Sequence, residues 1–425
     1  MHLFNLVAVV ITLSALFGYV NHRTIGLPTT IGVMLISIIV SLGLVVLAKM
    51  GTFGLGFEQQ WVDIVKNIDF NKTMLVGMLG FLLFAGALHI ELNELMKLKW
   101  EVAIFATVGV ALSTVLVGTL SYIGLSLLDL NIPLMDCMMF GALISPTDPV
   151  SVLGIVREAG LPKSMETRIT GESLFNDGVG VVVFTVMLGI VSGGGKVTAG
   201  EVSLLLAKEA VGGVVLGLVL GWSAYAILKS IDNYTVEILV TLSLVTGGFS
   251  LASLLGTSGP ITIVVAGLLI GSRGREFAMS EKTRRNLDTF WQVIDEILNA
   301  VLFVLIGIEL IVVTLKVEYL IAGLISIPVV LLARLISIGA PACLLSLRKK
   351  FSTRLLKIMT WGGLRGGISV ALALSLPVGT ERDIFITMTY TVVVFSILFQ
   401  GLTIKRIFKP DVEPDSDKVM EGRSV

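Results

Sequence analysis

Thirteen apolar runs separated by polar breaks dominate this chain, and most are near the 20 residues that a helix needs to cross a bilayer's roughly 30 Å hydrocarbon core. They cover residues 4–20, 28–49, 72–91, 99–128, 132–158, 167–192, 203–228, 236–255, 259–272, 286–313, 317–346, 354–377 and 383–404. Inside hydrocarbon a backbone must satisfy its own N–H and C=O groups, so runs of this kind predict helices. The expected fold class is an all-α polytopic membrane protein of about thirteen transmembrane helices. Composition agrees, since only 15% of residues are charged and mean hydropathy is +0.94, whereas a soluble domain carries about a quarter charged residues. A soluble enzyme is excluded. The ninth run spans only about 21 Å as helix, so it is expected to be tilted, sheltered by neighbours or only partly lipid-facing.

Lys and Arg gather in alternate loops, which orients the runs. One side receives 22 of the 31 basic residues, in loops around Arg23, Lys97, Lys163, Lys229, Arg273 to Arg285, Arg348 to Lys357 and Lys405 onward; the other receives 7. Only Arg334 and Arg365 fall inside runs. The expectation is a protein of the inner (cell) membrane with its N-terminus outside and its C-terminus cytoplasmic. Met1 to Val20 lacks a basic start and a small-residue cleavage site and reads as the first span. Acidic and basic residues balance at 31 each with no continuous basic face, which argues against nucleic acid. Cys137 and Cys343 lie apart in apolar surroundings and read as packing residues. Phe57 to Ile68 has one apolar helical face suited to the outer interface or to packing on the protein itself. Residues 406–425 form a short polar tail.

Function must then sit within the membrane, where ionisable residues are costly and mark pathways. The fifth run contains Ser145-Pro146-Thr147-Asp148-Pro149. Each proline removes an N–H, so the carbonyls of Ala142 and Ser145 lose their helical partners and the helix is expected to break, leaving carbonyls that could bind a cation. Asp148 before Pro149 also reads as the N-cap of a second half-helix. The plainer alternative is that Asp148 only caps a kink, which leaves the placement of that kink in the membrane unexplained.

The sixth run contains Gly171-Glu172-Ser173-Leu174-Phe175-Asn176-Asp177-Gly178. Residues four apart share a helical face, so Ser173 pairs with Asp177 and Glu172 with Asn176 on a different face. A buried Glu172 needs a cation, which either Arg334 or Arg365 could provide, giving it a structural role. Asp177 lacks an evident fixed positive partner and is the candidate for a carboxylate alternating between proton and metal ion. The twelfth run contains Gly362-Gly363-Leu364-Arg365-Gly366-Gly367, whose glycines loosen the helix. Arg365 lies about 18 Å from either end of its run, too far to snorkel, and is expected to face the C-terminal ends of half-helices.

The interrupted fifth and twelfth runs are seven apart in thirteen, so runs 1–6 and 8–13 would be halves of opposite orientation. Paired interrupted helices in inverted halves point to the midplane binding site of a secondary transporter.

These segments, with Asn299-Ala300-Val301-Leu302-Phe303-Val304-Leu305-Ile306-Gly307, resemble the cation:proton antiporter-1 family, the NhaP-type sodium/proton antiporters that also include the animal sodium/proton exchangers. The resemblance implies thirteen helices in a single unit over residues 1–405, with crossed, unwound fifth and twelfth helices. It implies a transport bundle from about 99–192 and 317–404, and a dimerisation scaffold from about 1–91 and 203–313. It also implies a homodimer, and a transported cation held by Asp148, Ser173 and Asp177 with backbone oxygen near Thr147, supported by Asn176, Glu172, Arg334 and Arg365. No cofactor beyond the transported ions, sodium or lithium and protons, is implied. Related antiporters often carry an acid in the third span where this chain has Phe84-Ala85-Gly86-Ala87. The long regulatory region of animal exchangers has no counterpart in the short tail, which suggests a minimal prokaryotic antiporter.

The implied activity is electroneutral exchange of one sodium for one proton, since Asn176-Asp177 stands where electrogenic relatives have two aspartates. A potassium/proton antiporter is the alternative within the same fold. An intramembrane aspartyl protease using Asp148 and Asp177 lacks its Gly-x-Gly-Asp context and leaves Arg365 without a role. A cation channel would want a repeated filter loop or pore-lining rings and several subunits around one axis, and its flux would need no proton counterflow, so a measurement of obligatory exchange separates the two.

Overall fold

A computed structural model describes residues 3–49, 77–148, 163–193, 199–309, 316–346, 351–377 and 379–407. Among these, helix is the sole regular secondary structure. The helices are α1 (Leu3–Val20), α2 (Thr29–Lys49), α3 (Leu79–Leu88), α4 (Lys99–Ser126), α5 (Leu134–Ile144), α6 (Lys163–Gly193) and α7 (Ala199–Lys229). They continue with α8 (Tyr234–Leu255), α9 (Gly259–Leu269), α10 (Glu281–Glu309), α11 (Val317–Leu345), α12 (Thr353–Trp361), α13 (Gly367–Leu374) and α14 (Thr380–Phe395). A π turn at Ser396–Gln400 extends α14 into the final segment Gly401–Ile407.

Helix lies within every one of the apolar runs, but the runs differ in how much is straight. Among the described residues, seven stretches are long and apolar enough by themselves to cross a membrane: most of α4, α6, α7, α8, α10 and α11, and Glu381–Ile404. Val7–Ile25 and Thr29–Leu44 form a pair bent by 106°. The fifth run stops being helical at Ser145, and the twelfth is split into α12 and α13 by non-helical residues 362–366. The expected interfacial helix at 57–68, the second half of the fifth run beyond Asp148 and the tail after residue 407 lie outside the described residues.

Local chemistry sets several boundaries. Asn233 caps α8 by accepting from the N–H groups of Thr235 and Val236, and Gly256, with φ of +64°, ends it in the left-handed conformation that glycine adopts without a Cβ clash. Ser258 caps α9 through the N–H of Ile261, with Pro260 in the first turn where its missing N–H costs nothing. The short α9 is sheltered as expected: Gly259 to Val264 and Ala266 to Leu268 are buried, against α7, α3, α8 and α6.

Two sets of helices emerge from the packing. α4 packs on α5, α6 and α11, α11 packs on α14, and α14 on α13. Separately, α10 packs on α2, α3, α8 and α1, while α9 packs on α7, α3 and α8. Trp291 of α10 is fully buried, packs at a tilt with its ring centroid 4.6 Å from that of Phe84 of α3 and donates its indole N–H to Thr241 of α8 at 3.1 Å. That anchor fixes the face α10 turns toward the first set. The two sets meet where α6 touches α9 and α3 and where α10 touches α13.

Candidate functional site

The two breaks are joined to each other. The N–H of Asp148 donates to the carbonyl of Leu364 at 2.8 Å, so a backbone group stranded by the fifth run's break is satisfied by the twelfth's. Glycine is required on the opposite strand, because a Cβ on Gly366 would stand 2.7 Å from the Cβ of Asp148. The carboxylate of Asp148 thereby sits at the N-terminal end of α13, where the helix dipole favours negative charge.

Arg365, fully buried, extends its guanidinium to the carbonyls of Ser145 and Pro146, the latter at 3.0 Å. The expected placement against the open C-terminal end of a half-helix is seen, and it corrects one expectation. The carbonyls were expected to be free for a cation, but Ser145 gives its oxygen to Arg365, and Ala142 accepts from the N–H of Ser145 at 3.2 Å in a tightened last turn. A guanidinium and a 3₁₀ turn both reach orphan carbonyls without an outside ion. The N–H of Arg365 is held in turn by Ser396 at 2.9 Å, from the π turn that extends α14.

Glu172 meets Arg334. Nη1 and Nη2 donate to the two carboxylate oxygens at 2.8 Å each, and Nη2 also reaches the carbonyl of Met359 at 3.1 Å. The side chains are only 2% and 8% exposed, so this bidentate pair is cut off from water. A Cβ on Gly363 would collide with the Arg334 guanidinium, which explains the glycine there. Asn176 links the pair to the break: its Nδ2 donates to Glu172 at 2.7 Å and to Thr147 Oγ1 at 2.7 Å, while its Oδ1 accepts from the Thr147 N–H at 3.1 Å. An amide fits because it must donate and accept at once; a carboxylate would oppose Glu172.

On the neighbouring face of α6, Ser173 and Thr147 hydroxyls are 3.0 Å apart, so Ser173 turns to the break and not only to Asp177. Asp177 is buried, and its Oδ1 has no hydrogen-bond partner among the described residues. It lines a cavity of about 550 Å³ together with Thr147 and Asp148. The cavity reaches Glu91, Glu94, Lys163 and Glu166 at one end of the helices, where the side chains of Glu91 and Lys163 are largely solvent-exposed and pair at 3.0 Å. Beyond the breaks, Phe140 stacks on Phe385 at 5.4 Å and both are fully buried, so that direction is sealed. No group of three or more His, Cys, Asp or Glu side chains capable of holding a metal ion occurs among the described residues. The oxygens facing this cavity instead mix carboxylates with hydroxyls, a donor set suited to a hard cation.

The structure therefore brings Thr147, Asp148, Ser173, Asn176 and Asp177 together, with Glu172, Arg334 and Arg365 behind them. Set against known proteins, residues 11–409 match the family model described as sodium/hydrogen exchanger, transmembrane. The chain belongs to the sodium/hydrogen exchanger family. Its relatives include the Na(+)/H(+) antiporter NhaP of Pseudomonas aeruginosa, 47% identical over 405 residues covering 94% of this chain and 95% of that protein. They also include the Na(+)/H(+) antiporter NhaH of Halobacillus dabanensis, 36% identical over 345 residues covering 80% and 83%. The fold is similar to that of the sodium proton antiporter MjNhaP1 from Methanocaldococcus jannaschii at pH 8, with a TM-score of 0.73, 19% identity and coverage of 95% and 97%.

Within this exchanger two cavity residues escaped the sequence reading. Asp295 of α10, half-buried and close enough to Asp148 for their charges to interact, lines the cavity opposite the breaks. Its signal was its position one turn before Asn299, obscured by the polar first half of that run. Ala85 and Gly86 of α3 line the same cavity. Ser369 of α13 also lines the cavity, and nothing in its sequence context distinguishes it.

Proposed function

We propose that the protein is a sodium/proton antiporter that exchanges one sodium for one proton by alternating access, both ions competing for Asp177 with Asp148 assisting. The observation that carries this reading is the contrast between two buried acids of α6, about 7.5 Å apart along the helix axis, in opposite roles: Glu172 is fully spent on Arg334, whereas Asp177 lines the cavity with Oδ1 unpartnered. Thr147, Ser173 and Asp148 add hydroxyl, backbone and carboxylate oxygens beside it.

Charge supports the stoichiometry. At the breaks the half-buried Asp148 and the buried Glu172 and Asp177 stand against the buried cations Arg334 and Arg365, leaving one negative charge there, while Asp295 belongs to the facing wall on α10. One sodium or one proton neutralises it, and either loaded state can then cross the low-dielectric interior without a net charge. The exchanged proton is assigned to Asp177, with Asp148 placed at the N-terminal end of α13 to assist in holding the cation.

Basic loops orient the molecule with its C-terminus in the cytoplasm, so the cavity mouth at Glu91, Glu94 and Glu166 faces the cytoplasm and its acids draw cations inward. The structure then corresponds to an inward-open state, sealed outward by Phe140 and Phe385. The set containing α4–α6 and α11–α14 acts as the transport bundle, and the set containing α1–α3 and α7–α10 as a scaffold through which two copies pair in the cell membrane. Transport requires no bond-making chemistry, so the chain acts as a carrier and not as an enzyme.

The test uses purified protein in vesicles carrying an internal pH dye, with chloride salts of sodium, lithium and potassium added in turn. Sodium-driven proton movement that Asp177→Asn abolishes is the expected result. Movement driven equally by potassium would overturn the sodium assignment, and cation flux without proton counterflow would overturn exchange.

A further inference from the structure

Ser369 is fully buried, yet its hydroxyl has no hydrogen-bond partner among the described residues, and it lines the cavity shared by Asp148 and Asp177. Serines and threonines inside helices commonly donate to the carbonyl one turn back, as Ser145, Thr170 and Ser326 do here at 2.7 to 2.9 Å. Ser369 is the third residue of α13, so the carbonyls three and four residues back belong to Gly366 and Arg365 in the break, and that bond is not made. The interrupted span thus releases a buried hydroxyl for another partner. Leaving such a donor unpaired is costly, and a second unpaired buried atom, Oδ1, belongs to Asp177, another residue of the same cavity lining.

Position matters as well as vacancy of bonding. Gly366, the residue before α13, abuts Asp148, and Ser369 follows in the first turn of that helix. The break at residues 145–148 and the face of α6 supply oxygens from two directions. We infer that Ser369 Oγ is a further ligand of the transported cation, contributed by α13 from a third direction. This deepens the sodium/proton reading and rests on it. A neutral hydroxyl oxygen binds a hard cation but does not take up the exchanged proton, so Ser369 separates cation loading from proton loading at one site.

The full-length chain in detergent tests this by thermal unfolding with and without sodium chloride, using choline chloride to hold ionic strength, alongside exchange in vesicles. In sodium-free buffer Ser369→Ala is expected to unfold at the wild-type temperature or above, because only an unpaired hydroxyl is removed. The sodium-induced upward shift is expected to shrink, and the sodium KM to rise about five- to tenfold, with the pH profile at saturating sodium unchanged. Ser369→Thr, which keeps the hydroxyl, is expected to stay within about twofold of the wild type. A sodium KM unchanged in Ser369→Ala overturns the inference, as does a lowered unfolding temperature without sodium, which marks a structural serine. A Ser369→Thr variant as weak as Ser369→Ala also overturns it. If the wild type itself shows neither a sodium-induced shift nor one abolished by Asp177→Asn, the exchange reading fails and takes this inference with it; a normal wild type with an unaffected Ser369→Ala defeats the inference alone.

Discussion

The amide of Asp148 and the carbonyl of Leu364 meet at 2.8 Å, one from each interrupted span, so that two defects in the membrane interior repair each other. With Arg365 closing on the carbonyls of Ser145 and Pro146, the breaks form one unit. Neither interruption is viable alone in hydrocarbon, where each unsatisfied backbone group costs several kcal/mol. Four consequences can be measured.

Competition at Asp177 makes sodium affinity depend on pH. A proton on the carboxylate excludes the cation, so in the acid limb the apparent sodium Kd is expected to rise about tenfold for each unit of falling pH. Isothermal titration or vesicle exchange across the active range reads this directly. Sodium affinity that stays flat with pH while transport continues would show separate sites.

Removing either aspartate separates transport from folding. Asp177→Asn is expected to abolish exchange while the protein still purifies as a folded species, since Asp177 Oδ1 makes no hydrogen bond whose loss could unfold it. Asp148→Asn keeps the N–H to Leu364, because that bond is made by the backbone, and is expected to cripple exchange through weaker cation binding. Retained sodium-driven proton flux in Asp177→Asn would remove it from the mechanism.

Glu172 and Arg334 are expected to behave as a structural pair. Glu172→Gln strands a buried guanidinium and is expected to destabilise by roughly 3–5 kcal/mol, as is Arg334→Ala, with the double variant recovering part of that loss. Thermal unfolding of the four proteins gives the coupling. A Glu172→Gln protein of normal stability that no longer binds sodium would instead put Glu172 among the ion's ligands.

Electroneutral exchange predicts insensitivity to voltage. With one negative charge in the empty centre and one monovalent ion neutralising it, the membrane potential, worth about 2.3 kcal/mol per charge per 100 mV, finds no net charge to act on. In vesicles clamped at several potentials, the reversal point of sodium-driven proton flux is expected to stay where the two ion gradients place it. A reversal point moving with potential would mean a second proton travels, and Asp148 is the residue to substitute next.

Much of this protein is written in local sequence. The apolar runs place the helices, because a span's length and its need to satisfy its own backbone are properties of the segment alone. Pro146 and the glycines around Arg365 mark both interruptions, because a missing N–H or Cβ acts wherever the chain goes. The four-residue spacing in α6 divides Glu172 and Asn176 from Ser173 and Asp177, and the bond from Asn176 to Glu172 at 2.7 Å follows that periodicity.

Tertiary structure decided which partners those faces meet. Sequence left Glu172 to choose between Arg334 and Arg365, and the packing of α11 and α6 on the same helix, α4, gives it Arg334, while Arg365 takes the carbonyl of Ser145 that had been expected to face an ion. Asp295 and Ser369 became visible only when α10 and α13 were brought to the same cavity. Helical periodicity fixes the direction in which a side chain leaves its own axis. The group it finds there depends on how neighbouring helices are rotated and crossed, and that is settled by packing between segments hundreds of residues apart.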